Sequence, residues 1–308
     1  MKNSFPYMTA LLSICLATPT HAADLPSIKS APQTAPAPIW TGLYAGLNAG
    51  GVLGNNNSLN NTTWNVYQPA SNADYALAAL LSGNGAGGFQ NAALIGGGQI
   101  GYSNQLTFNG FSFVTGGEAD IQGLTSYGGS GNRWNSVNTD NFGAPVSLQS
   151  NQKGFANISY LGTVRTRFGM LVTPNLLVFG SGGLAYGGLN LNIQNTQFWT
   201  TTGGAQAGSN SVMIGSNSAY TTQVGWSVGG GLEWMFAPNW SAKAEYLYYD
   251  LGQFSSTVVN NYYGTGGFAG NNGIQNASSY TGHITGNIIR AGMNYHFNIA
   301  PVPVVAKY

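Results

Sequence analysis

The chain has 308 residues, of which only 6% are charged, and 9 Lys and Arg against 8 Asp and Glu give a formal net charge of +1. Soluble domains typically carry about a quarter charged residues, yet the mean hydropathy is near zero at −0.04, and past the first twenty-odd residues nothing stays apolar for the ~18 residues that a membrane helix needs. This balance excludes an ordinary soluble domain, a helical membrane protein and a nucleic-acid binder built on a basic patch.

The first 22 residues read as an export signal. Lys2 is a minimal basic region, Met8 to Ala17 is an apolar run, and Thr20-His21-Ala22 supplies a small-residue cleavage site before Ala23. Cys15 lies inside this segment, so the mature chain has no disulfide framework. Lys2 leaves with it, which balances bases and acids in the remainder. Residues 23–39 are rich in Pro and Ala and are expected to form an extended periplasmic leader.

From Trp40 onward the pattern is one of alternating strands, in which successive side chains point to opposite faces. Trp40 to Leu53 sets Leu43, Ala45, Leu47 and Ala49 against Gly42, Tyr44, Gly46 and Asn48, then breaks into a polar segment reaching about Asn91. Ala92 to Asn104 is glycine-rich, and its faces are ambiguous. Phe111 to Leu124 places Phe111, Phe113, Ala119 and Ile121 opposite Val114, Glu118, Asp120 and Gln122, and a long loop is expected over 125–154. In Phe155 to Met170 the face of Leu161, Thr163, Arg165 and Arg167 opposes that of Val164, Thr166 and Phe168. A turn at Val172 to Asn175 leads to Leu176 and a strand ending near Asn192, followed by a polar loop to about Tyr220. Thr222 to Phe236 sets Val224, Trp226, Val228, Leu232, Trp234 and Phe236 against Gln223, Ser227 and Glu233. After Ala237-Pro238-Asn239, Trp240 to Leu251 places Lys243 and Glu245 on one face and Tyr246 and Tyr248 on the other. A last long loop, 252–280, precedes Gly282 to Phe297, where Ile289, Ala291, Met293, Tyr295 and Phe297 oppose Ile288, Arg290, Asn294 and His296.

Connections alternate long and short, and the strand count is about eight and even. Both are features of an up-and-down transmembrane β-barrel with short periplasmic turns and long external loops. A closed barrel also leaves no backbone edge unpaired in lipid. Ten strands stay open, because 54–91 and 252–280 could each insert a hairpin.

The polar faces collect four acids, Glu118, Asp120, Glu233 and Glu245, and four bases, Arg165, Arg167, Lys243 and Arg290. An eight-stranded barrel is just wide enough to be filled by side chains, so these charges are expected to pair inside it, as a neutral plug in preference to a selectivity constriction in a narrow pore. Aromatic residues beside the short turns, Trp40, Phe111, Phe113, Phe168, Trp234, Phe236, Trp240, Tyr295 and Phe297, suit an interfacial girdle. Gly96-Gly97-Gly98 and Gly229-Gly230-Gly231 lack the Lys-Ser/Thr and helix of a phosphate loop. His283 and His296 fall near opposite ends of the last strand, too far apart to share a metal. No catalytic set, cofactor, metal or nucleic-acid partner is expected.

The mature start Ala23-Asp24-Leu25-Pro26 and the runs WTGLYAGLNAGG (40–51), GGGQIGY (96–102), GGEADIQG (116–123), LGTVRTRFG (161–169), FGSGGLAYG (179–187), NWSAKAEYLYYDLG (239–252) and IIRAGMNYHF (288–297) together resemble the porin-opacity type of outer-membrane β-barrel, the immunogenic surface proteins of Gram-negative bacteria. The resemblance implies an all-β, eight-stranded antiparallel barrel over residues 40–297 and a place among outer-membrane surface antigens. It implies a role in envelope integrity and surface interaction, with a narrow channel for ions or small solutes as the alternative. The partners implied are outer-membrane lipids and lipopolysaccharide, barrel-assembly machinery that reads the strand Ile289–Phe297, and host or haemin contacts through the loops. Family barrels commonly finish on that aromatic end, whereas here residues 298–308 follow: either Ile289–Phe297 still acts as the signal and 298–308 trail into the periplasm, the reading that Pro301 and Pro303 favour, or the barrel's true end is different.

Overall fold

The computed structural model describes residues 40–55, 57–67, 85–89, 92–141, 144–201, 210–264 and 275–297. The signal, leader and tail expected at 1–22, 23–39 and 298–308 lie outside the described residues. The described residues form ten strands: β1 (Gly42–Gly54), β2 (Asn57–Tyr67), β3 (Gly85–Phe89), β4 (Ala92–Phe108), β5 (Phe111–Asn141), β6 (Ala144–Thr173), β7 (Leu176–Thr201), β8 (Asn210–Ala237), β9 (Trp240–Gly264) and β10 (Gln275–Phe297).

The ring runs β1-β4-β5-β6-β7-β8-β9-β10, all antiparallel, and closes where β10 returns to β1 from Leu43↔Phe297 to Gly54↔Gly286. The other two strands add no stave. Where β1 leaves β10, β2 takes over the same edge at Leu59↔Gly282, and β3 pairs with β2 at Asn57↔Phe89 just as β4 pairs with β1 at Leu53↔Ala92. The barrel therefore has eight staves, two of them interrupted, which decides between eight strands and ten.

Three two-residue turns close one end. Asn109 and Gly110 both take positive φ, 49° and 82°, the left-handed pair of a type I′ hairpin turn that Asn-Gly favours. Pro174-Asn175 and Pro238-Asn239 make the other two.

At the far end the structure departs from the expected loops. The segments 125–154, 192–220 and 252–280 are long connections, but most of their length is strand: β5 runs for 31 residues, β6 for 30 and β8 for 28. A membrane needs only about 9–11 residues of each. On β8 the ten-residue step from Phe236 to Trp226, both outward-facing, covers about 33 Å along the strand at ~3.3 Å per residue. At a tilt near 40° that is about 25 Å of height, the span of a lipid-facing band.

Above this band the alternation changes phase. Leu184 points outward at 58% exposed, whereas Leu189, Leu191 and Ile193 on the same strand point inward at 5% or less. On this strand the aliphatic groups move from the outward face in the band to the inward face above it, although Phe198, Ile214 and Val259 stay exposed on the extracellular part. The hydrophobic effect thus holds the extracellular tube together from inside, while the bilayer accommodates the exposed Leu47, Leu94, Ile100, Ile121, Val164 and Ile289 lower down. A soluble monomer rarely exposes so extensive an apolar surface.

Candidate functional site

Register brings the eight charged side chains to one level of the lumen. Cross-strand neighbours Glu118↔Arg165, Glu233↔Lys243 and Glu245↔Arg290 sit directly opposite one another, where opposite charges stabilise a sheet. All eight are buried. Arg165 is the hub: its guanidinium contacts Glu118 at 2.7 Å, Asp120 at 3.1 Å and Glu245 at 2.5 Å, and donates to Thr163 and Ser181. Arg290 bridges Asp120 at 2.8 Å and Glu245 at 2.7 Å. Arg167 joins Glu233 at 2.5 Å to Glu118 at 3.3 Å, with its guanidinium carbon 4.0 Å from the centre of the Phe179 ring. Lys243 reaches past its register neighbour to Glu118 at 2.8 Å.

Neutral polar groups complete the layer. Tyr44 donates to Glu118 at 2.8 Å, Gln99 accepts from Lys243 at 2.9 Å, and Ser241 and Asn294 donate to Glu233 at 2.6 and 2.7 Å. The sequence reading did not nominate these four as members of the cluster. Strand parity already set Tyr44 and Asn294 on the inward face, so the signal was present. The Tyr44 ring has room because its partner across β4 is Gly101; a Cβ there would land on the ring.

Apolar layers bound the ionic one on both sides. Toward the short turns lie Trp40, Val114, Leu177, Phe179 and Met235. Toward the extracellular end lies a larger cluster that includes Ile158, Leu161, Leu247, Tyr249 and Ile288. Sequence reasoning placed Leu161 in phase with the arginines but did not anticipate that such residues form belts.

The girdle expected beside the short turns needs one correction. Trp40 is 1% exposed and lies inside the barrel mouth, where its indole N–H donates to the Pro174 carbonyl at 3.0 Å and its ring meets His296 edge-on at 5.7 Å. The physical reason is parity: Trp40 shares the inward phase of Gly42 and Tyr44. Phe111, Phe168, Trp234, Phe236, Trp240, Tyr295 and Phe297 are exposed outward, and Phe113 is half-buried against Phe168 with ring centres 5.9 Å apart. A second, outer aromatic set that sequence reasoning missed pairs Tyr160 with Tyr186 and Trp226 with Tyr248, their ring centres 6.4 and 5.4 Å apart, on the extracellular side of the ionic layer.

His296 is buried, 2.9 Å from the Ser241 hydroxyl, whereas His283 sits outside the barrel 2.8 Å from Asp250. Among the described residues, no group of three or more His, Cys, Asp and Glu is placed to hold a metal. The expectation of no catalytic set took the chain to lack a Gly-x-Ser-x-Gly motif, and that is corrected here: Gly225-Trp226-Ser227-Val228-Gly229 has the spacing of a nucleophile elbow. It lies within the uninterrupted strand β8, and Ser227 faces the lumen, so the strained strand-to-helix turn of such an elbow is missing.

A family model described as Opacity family porin protein matches residues 137–269. The 31 kDa outer-membrane immunogenic proteins of Brucella melitensis biotype 1 and Brucella suis biovar 1 are each 31% identical to this chain over 298 residues, covering 94% of it and 98% of the relative. Among solved structures, the outer-membrane protein OprG of Pseudomonas aeruginosa is 9% identical, with a TM-score of 0.34 over 85% of this chain and 99% of that one. The attachment invasion locus protein Ail of Yersinia pestis is 9% identical, with a TM-score of 0.25 over 81% and 99%. With a closed ring of eight staves, an apolar exterior and full-length likeness to the Brucella proteins, the chain belongs to the opacity-type porin family and is a β-barrel of the outer membrane.

Proposed function

We propose that this barrel is a closed structural anchor that displays its extracellular tube as an interaction and antigenic surface and performs no catalysis. The observation that carries the reading is the bond from Lys243 to Glu118 at 2.8 Å. Lys243 is on β9 and Glu118 on β5, four staves apart in a ring of eight, so one ion pair spans the lumen from wall to wall. Apolar belts above and below add two low-dielectric layers that a hydrated ion would have to cross. The charged groups are engaged with one another, which also supports a role without acid–base chemistry. The likeness to proteins named for immunogenicity supports the antigenic part. The outward aromatic and aliphatic row of Ile289, Met293, Tyr295 and Phe297 supports β10 as the strand read by assembly machinery.

Planar-bilayer recording tests the plug. The purified protein is expected to give a silent baseline. Steady unit currents whose size changes with Arg165→Ala would overturn the closed-barrel reading and favour the narrow channel.

A further inference from the structure

Just above the outer aromatic set, the barrel wall carries a shallow groove of about 470 Å³ across three neighbouring staves. Asn157 on β6, Asn190 on β7 and Tyr220 on β8 form one register row, and Asn192 and Ser218 form the next. The groove offers amides, a hydroxyl and an aromatic ring. Among the described residues it has no ionisable lining except the phenol; Lys153, outside the lining, pairs with Gln194, two residues past the Asn192 row, or about 7 Å along the strand at ~3.3 Å per residue.

The Tyr220 side chain approaches Tyr160 and Ser159, which belong to β6, two staves away, so it leans across β7 along the wall while the residue stays 60% exposed. Tyr160 is itself fixed by Thr222 at 2.9 Å and lies over Gly188, where a Cβ would meet its ring. The Asn157 side-chain oxygen is buried without a hydrogen-bond partner, and buried acceptors are normally paired.

The height of the groove narrows the choice of ligand. Tyr220 lies four residues beyond Val224, which ends the run of exposed aliphatic side chains climbing β8 from Leu232, with Ile214 standing apart six residues past Tyr220; Tyr220 is therefore about 10 Å higher than Val224 at ~3.3 Å per residue and 40° tilt. That level is the outer edge of the headgroup region, where the sugars of outer-leaflet glycolipids begin. We propose that this groove is a binding subsite for an uncharged sugar ring, whose hydroxyl pairs bond to the Asn157, Asn190 and Asn192 amides while its C–H face stacks on Tyr220. Without a cation in the lining, the groove does not select phosphate or sulfate. The proposal goes beyond the closed-barrel reading and does not depend on it.

The test is titration of the full-length mature protein, folded in neutral detergent, with three probes: rough-type lipopolysaccharide, its dephosphorylated free core oligosaccharide, and sugar-free lipid A. The readout is the NMR shift of asparagine side-chain amides. Saccharide-bearing probes are expected to shift the amides that Asn190→Ala removes from the spectrum. Affinity is expected to fall about tenfold or more in Asn190→Ala and in Tyr220→Ala and to be unmoved by 0.5 M salt, because no charge is involved. Response to the glycolipid but not the free oligosaccharide would assign the sugar to the membrane leaflet, and response to both to free glycans as well. Equal response to lipid A, loss of binding in salt, silence toward both saccharide probes, or unchanged affinity in both variants would each overturn the proposal. Unaltered heat-modifiable mobility of the variants shows that they have folded, and silent bilayers are a separate result.

Discussion

Replacing Arg165 by Leu tests the ionic layer at its hub. The substitution deletes charge-assisted contacts at 2.5, 2.7 and 3.1 Å and leaves four buried carboxylates to three cations. Arg290 and Lys243 already serve Asp120, Glu245 and Glu118, and Arg167 is held by Glu233, so none is free to fill the vacancy. Removing one partner of a buried ionic set costs about 3–5 kcal/mol, a large share of the ~5–15 kcal/mol that separates folded from unfolded protein. Replacing a buried pair by apolar groups of similar size is close to neutral. The double variant Arg165→Leu with Glu245→Leu, which restores the charge balance and leaves Arg290 on Asp120, should therefore recover to within about 2 kcal/mol of wild type. Urea unfolding of the barrel in neutral-lipid vesicles, followed by tryptophan fluorescence and by gel mobility of unboiled samples, measures all three proteins. A single variant within about 1 kcal/mol of wild type, or a double variant worse than the single, would refute a cluster held by mutual neutralisation.

Trp40→Ala should destabilise the barrel by about 3–5 kcal/mol through lost packing at its mouth, and Trp40→Phe by about 1 kcal/mol through the bond to Pro174 alone; the same unfolding assay ranks them. In the extracellular tube, burial pushes the Tyr280 phenol above its ordinary value. The folded state holds this proton more tightly than the unfolded chain, so the contribution is complete below about pH 10 and is lost as pH rises through the folded value. Protease resistance of the tube should fall at strongly alkaline pH, and Tyr280→Phe should flatten that dependence. Cysteine scanning checks orientation: in intact cells Lys153→Cys should react with a membrane-impermeant thiol reagent, and Asn109→Cys should react only after the outer membrane is opened.

Within the membrane band the sequence was legible because the contrast between faces is large: Arg165 and Arg167 alternate with Val164, Thr166 and Phe168, and register does the rest. Beyond the band, Asn190-Leu191-Asn192-Ile193 reads as polar loop if the outward-apolar phase is carried forward, although its alternation is intact and merely inverted. Parity alone would have moved Trp40 inside. The long-range partners were not legible. That Lys243 would pass over Glu233 to reach Glu118 depends on the width of the lumen, which follows from stave number and tilt and leaves no local trace.

The change of phase between Leu184 and Leu189 acts as a waterline written into the staves. Since one residue of slip turns every side chain to the opposite face, the depth at which the barrel floats is set by covalent sequence and not by a balance of weak interfacial contacts. Inserting one residue on a single stave at the line would pit lipid phase against water phase along that stave. Insertions of two keep both phases and only lengthen the tube, so the exposed hairpins are free to vary in length while their footing in the bilayer stays fixed.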